Sequence, residues 1–171
     1  DIRGHWDLRD LLREAGGRLV SPKMEFNDDA DSMMVENIHA TFAQHFRQKN
    51  AEQTLRRMKA RLMNGYWPFQ APVGYEYYSV KNGGRMLRRC EPIASVVQEA
   101  LEGYASNRFE TAADVMRFLQ DNPLFPKDTR GIVRHQRVSI LLRNSVYAGY
   151  VEAPKWDIPL REGQHEGLIS F

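Results

Sequence analysis

Two clusters of cationic side chains carry most of the chemistry that single residues of this chain can do. Arg56, Arg57, Lys59 and Arg61 crowd one short stretch, and Arg85, Arg88 and Arg89 follow it; Arg130, Arg134, His135, Gln136, Arg137 and Arg143 form a later stretch without any Asp or Glu. Residues 45–90 hold 10 basic and 2 acidic side chains, residues 91–129 hold 3 and 7, and residues 130–143 hold 4 and 0. A net charge of +2 hides this segregation. Two basic islands separated by an acidic segment suit a polyanion, because phosphate contacts supply most of the non-specific affinity for nucleic acid.

Other chemistry is poorly served. Cys90 is the single cysteine, which excludes an internal disulfide and any CxxC metal site. His5, His39 and His45 have no partner at metal-ligand spacing, and an HExxH pattern is absent. His165, beside Glu166, reads as a loop residue, since a zinc site needs three or four convergent ligands. Asp28, Asp29 and Asp31 read as the capped start of a helix. No catalytic residue, metal ligand or cofactor is expected. No apolar run reaches the roughly 18 residues of a membrane span, and DIRGHWDLRD at the start lacks the pattern of a signal peptide, so a cytoplasmic chain without a membrane partner is expected.

The elements that must position the basic clusters follow from periodicity. A composition of 42% hydrophobic and 27% charged residues suits one or two small domains. Leu8, Leu11 and Leu12 share one face of a helix over residues 7–17 that ends at a Gly pair, and GRLVSP reads as a strand; together they resemble the end of an α/β domain. From Asp31 to Asn64 there is neither Gly nor Pro, which predicts one helix of about 34 residues, ~50 Å long, stopped at Asn64-Gly65. Met34, Ile38, Phe42 and Phe46 recur every four residues in its first half, an apolar stripe for packing on the preceding domain or on a second copy of the helix. Its second half carries the first basic cluster. A sustained heptad with charged flanks is absent, so a plain coiled coil is the weaker reading.

Beyond Gly65 the composition changes to turns and short elements. Ala71-Pro72-Val73-Gly74 reads as a tight turn, and GYEYYSVKNGGRMLRRC as a hairpin closed by Asn82-Gly83-Gly84. Pro92 suits the first turn of a helix whose Ile93, Val96, Val97, Ala100, Leu101 and Tyr104 share a face. Thr111 and Asp114 form a capping box for the next helix. In IVRHQRVSILLRN, Val138, Leu141 and Leu142 face inward and leave Arg134, His135, Gln136 and Arg137 outward. Three helices with a basic last member suit a DNA-binding bundle of helix-turn-helix type. Phosphate contacts are expected from the helix end near Arg57, and base contacts from the last helix. The fold class is mainly α with a small β-hairpin (α+β).

FNDDADSMMVENIHATFAQHFRQKNAEQTLRRMKARLMNGYWPFQAPVGY, then PIASVVQEALEGYA, then VSILLRNSVYAGYV and HEGLIS, in this order, resemble the large serine recombinases of phages and mobile elements. The resemblance covers nearly the whole chain. It implies a remnant of a resolvase-like catalytic domain at residues 1–30, a long connecting helix at 31–65, a recombinase DNA-binding domain at 66–150 seeded by Trp67, Phe69 and Tyr75, and a linker toward a zinc ribbon at 151–171. It further implies double-stranded DNA as partner, a homodimer or tetramer of the full-length protein through Met34, Ile38, Phe42 and Phe46, and a catalytic serine upstream of Asp1, since none of the eight serines here sits in a matching motif. The chain carries Glu52-Gln53 where the family often has Glu-Arg. A helix-turn-helix transcriptional regulator is the alternative, although it has no need of a remnant α/β domain and a long helix.

Overall fold

The computed structural model describes residues 2–17, 30–81 and 84–171. The chain divides into two compact units, Asp1–Arg56 and Arg57–Phe171.

The first unit contains helix α1 (Ile2–Glu14) and most of helix α2 (Ala30–Met63). Gly16, in a left-handed conformation, follows α1 as the sequence predicts, but the helix starts at Ile2, five residues before the expected residue 7. Beyond Gly17 the expected strand GRLVSP lies outside the described residues, as do Asp28 and Asp29. In α2 the stripe is exposed: Met34 by 64%, Ile38 by 42%, Phe42 by 57% and Phe46 by 59%.

The abrupt end of α2 has a local cause. The Tyr66 N–H donates to the Arg61 carbonyl and the Gly65 N–H to the Leu62 carbonyl, both at 2.9 Å, the paired bonds that close a helix when the residue after the cap is left-handed. Gly65 supplies that conformation at φ 78°, and a Cβ there would meet the Glu162 carbonyl oxygen at 2.7 Å. Helix, turn and the later strand meet at one crowded point. Leu62 is fully buried with Val151 and Ile158, and Trp67, Phe69 and Trp156 pack around them.

Strand β1 (Tyr75–Val80) pairs antiparallel with β2 (Gly84–Arg89), Tyr75 opposite Arg89 and Val80 opposite Gly84. The preceding turn sits one residue later than its sequence suggests: the Tyr75 N–H donates to the Pro72 carbonyl at 3.0 Å, and Gly74 takes φ 91° inside it. Helix α3 (Ile93–Ala105) buries Val96, Val97, Ala100 and Leu101 as its periodicity predicts. Tyr104 does not join them and is 40% exposed; Gly103 is buried instead, because the Phe109 ring occupies the space a Cβ there would need, at 2.5 Å. Helix α4 (Ala112–Asp121) starts on the predicted capping box, with Thr111 Oγ1 accepting from the Asp114 N–H and the Asp114 carboxylate accepting from the Thr111 N–H.

Helix α5 (His135–Arg143) buries Val138 and Leu141 against this bundle. The connection from α4 is not the short turn of a helix-turn-helix. It runs from residue 122 to 134 and is folded by its own bonds: Asp128 Oδ1 accepts from the N–H groups of Arg130 and Ile132, and Gln120 bonds Gly131 O and the Val133 N–H. Phe125 and Val133 anchor it in the core.

Residues 151–171, read from sequence as a linker, are packed against the rest of the unit. Strand β3 (Tyr150–Ala153) and β4 (Ile158–Glu162) form a second hairpin, and Leu168 enters the main core. The Tyr75 hydroxyl donates to the Glu166 carbonyl at 2.8 Å, and the Tyr147 hydroxyl to the Val73 carbonyl at 2.9 Å. Burial raises the Tyr75 pKa to about 12. His165 is the loop residue the sequence suggests: its Nε2 lies 2.8 Å from the Val146 carbonyl, and burial lowers its pKa. The fold is thus mainly α with two small antiparallel hairpins.

Candidate nucleic-acid interface

An arginine is available to a phosphate or a base edge when its fork is not already occupied by the protein. On that criterion the structure sorts the candidate cationic residues, with the neutral amide Gln136, into two groups.

In the first group are Arg56, Arg57, Arg85, Arg130, Gln136 and Arg143, all exposed, together with half-buried Lys59. None has a hydrogen-bond or ion-pair partner for its side chain among the described residues. Arg57 and Lys59 lie on the last turns of α2, Arg85 at the start of β2, and Gln136 and Arg143 on α5.

The second group is engaged. Arg61 donates to the Arg85 carbonyl and stacks its guanidinium 5.3 Å from the Tyr66 ring, so it fastens the end of α2 to the hairpin. Arg88 pairs with Glu76 at 2.8 Å across the two strands. Arg89 bonds Glu91 at 3.1 Å and Gln98 at 2.8 Å, which ties the hairpin to α3. The Glu91 carboxyl is held below its ordinary pKa by the Ser95 hydroxyl first and by Arg89 after it. Arg134 pairs with Asp128 at 2.9 Å; the Ile132 N–H and then this guanidinium lower the Asp128 pKa. Such exposed pairs contribute little in water, so Arg88 and Arg134 can exchange partners.

Arg137 departs from its sequence reading. Rather than pointing outward with its neighbours, it is half-buried, donates to the Pro126 carbonyl at 2.7 Å and covers the Phe125 ring at 5.3 Å. Its place on the helix, one residue before buried Val138, turns it along the bundle and onto the α4–α5 connection. His135 is exposed, with Nδ1 3.4 Å from Ser139 Oγ.

What remains outward on α5 is a narrow face. Gln136, Ser139, Ile140 and Arg143 recur at the i, i+3, i+4, i+7 spacing that stacks side chains along one side, opposite Val138 and Leu141. Sequence reasoning passed over Ile140, although the signal was present: a helix that buries 138 and 141 must expose 140. Ile140 is 60% exposed. No acidic residue lies on the helix. Arg130 stands apart, in the connection before it.

Among the described residues no group of His, Cys, Asp and Glu could hold a metal ion, and no helix is long and apolar enough to cross a membrane.

No protein-family profile and no curated protein matches the chain. Among solved structures it is similar to one described as concerning the sequence requirements of the Listeria innocua prophage attP site, with a TM-score of 0.51 and 20% identity over 69% of this chain and 46% of that chain. It is also similar to one described as the crystal structure of an LSR–DNA complex, with a TM-score of 0.47 and 18% identity over 71% of this chain and 34% of that chain. The chain spans less than half the length of either. Similarity to the Listeria structure at this level establishes a shared fold.

Proposed function

We propose that the chain is the DNA-binding part of a site-specific serine recombinase, gripping duplex DNA through phosphates near the end of α2 and reading bases with α5. The observation that carries this is the outward face of α5: a donor-rich, acid-free helix side with unoccupied Gln136 and Arg143, held rigid by Val138 and Leu141 in the core. The order of motifs along the chain and the fold shared with the Listeria prophage structure support it. A helix-turn-helix regulator is disfavoured by the long, internally bonded connection between α4 and α5. Cleavage and rejoining belong, on this reading, to a serine outside the chain.

The test is fluorescence anisotropy of the purified chain with duplex DNA over a salt series, alongside a gel assay for strand cleavage. Binding that weakens log-linearly with salt, without nicking, is expected. Salt-independent binding, or none at low salt, contradicts the reading.

The exposed stripe of Met34, Ile38, Phe42 and Phe46 is, in the same proposal, the seam between two copies of α2. Apolar side chains repeating along one helix face are suited to a self-complementary contact. Phe42→Asp is then expected to abolish self-association in sedimentation velocity; an unchanged mass distribution assigns the stripe to another contact.

A further inference from the structure

The α5 face holds one residue that phosphate binding does not account for. Ile140, 60% exposed, sits between Gln136 and Arg143, and Ile132, 51% exposed, faces the same shallow cleft of about 350 Å³. Asp128, Arg134, Gln136 and Arg137 complete its lining. A single exposed isoleucine is ordinary on any surface. Two in one cleft, Ile132 from the connection and Ile140 from an acid-free helix, beside an amide with free donor and acceptor atoms, are a mixed apolar and hydrogen-bonding surface. The one carboxylate in the cleft does not repel an anion strongly, because Asp128 is occupied by two backbone N–H groups and by Arg134.

The major groove offers the matching chemistry at A·T pairs alone: adenine presents an N7 acceptor beside an N6 donor, which an amide meets bidentately, and thymine presents the C5-methyl group. We infer that α5 reads A·T pairs through Gln136 and Ile140, Gln136 pairing with the N6/N7 edge of an adenine and Ile140 seating on a thymine methyl, with Ile132 widening that apolar contact. Gln136 and Ile140 are one turn apart, about 6 Å along the helix axis, and base pairs rise by about 3.4 Å, so the thymine lies one or two steps from the adenine. This rests on the DNA-binding reading above and adds which base pairs are preferred and which side chain prefers them.

Replacing thymine by uracil removes only the methyl group, which isolates the Ile140 contact. The chain and its Ile140→Ala and Gln136→Ala variants are each used to select duplexes from a randomised pool, and the preferred duplex is then re-synthesised with uracil at each thymine in turn. Wild type is expected to enrich A·T pairs one or two steps apart and to bind about three- to fivefold more weakly when one particular thymine becomes uracil, roughly the worth of one buried methyl group. Ile140→Ala is expected to bind the thymine and uracil duplexes equally, with its thermal unfolding unchanged because the side chain packs on no core. Gln136→Ala is expected to lose the adenine preference and keep the methyl dependence. DNA bound without A·T enrichment, or a methyl dependence that survives Ile140→Ala, overturns the inference and leaves DNA binding standing. Absence of any duplex binding overturns both.

Discussion

The β1–β2 hairpin and helix α5 are both rich in cationic residues, yet they spend them differently. On the hairpin, Arg88 and Arg89 are taken up by Glu76, Glu91 and Gln98, and Arg85 lends its carbonyl to Arg61 while its guanidinium stays unpaired. Those contacts hold the end of α2, the hairpin and α3 as one body. At α5, half-buried Arg137 and, at the end of the connection before the helix, Arg134 do the holding, and Gln136 and Arg143 remain unoccupied. The difference teaches that the density of arginine in a sequence does not measure the capacity to bind an anion. Availability does, and it is set by which acids and carbonyls the fold brings alongside.

The strongest way to break this comparison is to unroot α5. Leu141 is 4% exposed in the core beneath the outward face, so Leu141→Ala is expected to destabilise the chain by about 2–5 kcal/mol. Urea denaturation measures the loss, and base discrimination is expected to fall with it while affinity for random duplex, which the proposal assigns to the end of α2, changes little. A variant with wild-type stability would show that α5 is not held from below.

A smaller effect sharpens the comparison through pH. The Asp128 carboxyl has a folded pKa lowered by the Ile132 N–H and by Arg134, so its contribution is present above the unfolded value of about 3.9 and is lost as pH falls through the folded one. Asp128→Asn keeps an acceptor and removes the charge. The variant is expected to lose part of its stability at neutral pH and to show a flatter stability profile on the acid side. An unchanged acid limb would mean that this carboxylate does not brace the connection to α5.

Local signals made much of this fold legible in the sequence. Asn64-Gly65 marks the end of α2 because only a left-handed residue closes that helix stop, and Thr111 with Asp114 marks the start of α4 because the capping box is complete within four residues. The second hairpin was hidden: Pro154 and Pro159 interrupt VEAPKWDIPLRE, and strands this short show no clear alternation. Tyr104 shares the apolar side of α3 but lies on its last turn, where Phe109 covers Gly103 instead. At the candidate site, periodicity gave the buried residues of α5 and hence its outward side. It could not give the partners of Arg61, Arg88, Arg89 and Arg137, since each lies on another element or across a turn, and a guanidinium on a long side chain goes where tertiary structure offers an acceptor.

The division of labour between gripping and reading is tested most directly by comparing Gln136→Ala with Arg57→Ala on a selected duplex and on random duplex, each over a salt series. Gln136→Ala is predicted to weaken the selected duplex by about 1–3 kcal/mol and to leave random duplex and the salt slope unchanged. Arg57→Ala is predicted to weaken both duplexes by the same factor and to lower the slope by about one unit. If Gln136→Ala weakens selected and random DNA equally, α5 is not the reading element, and unpaired Arg85 on the hairpin takes its place.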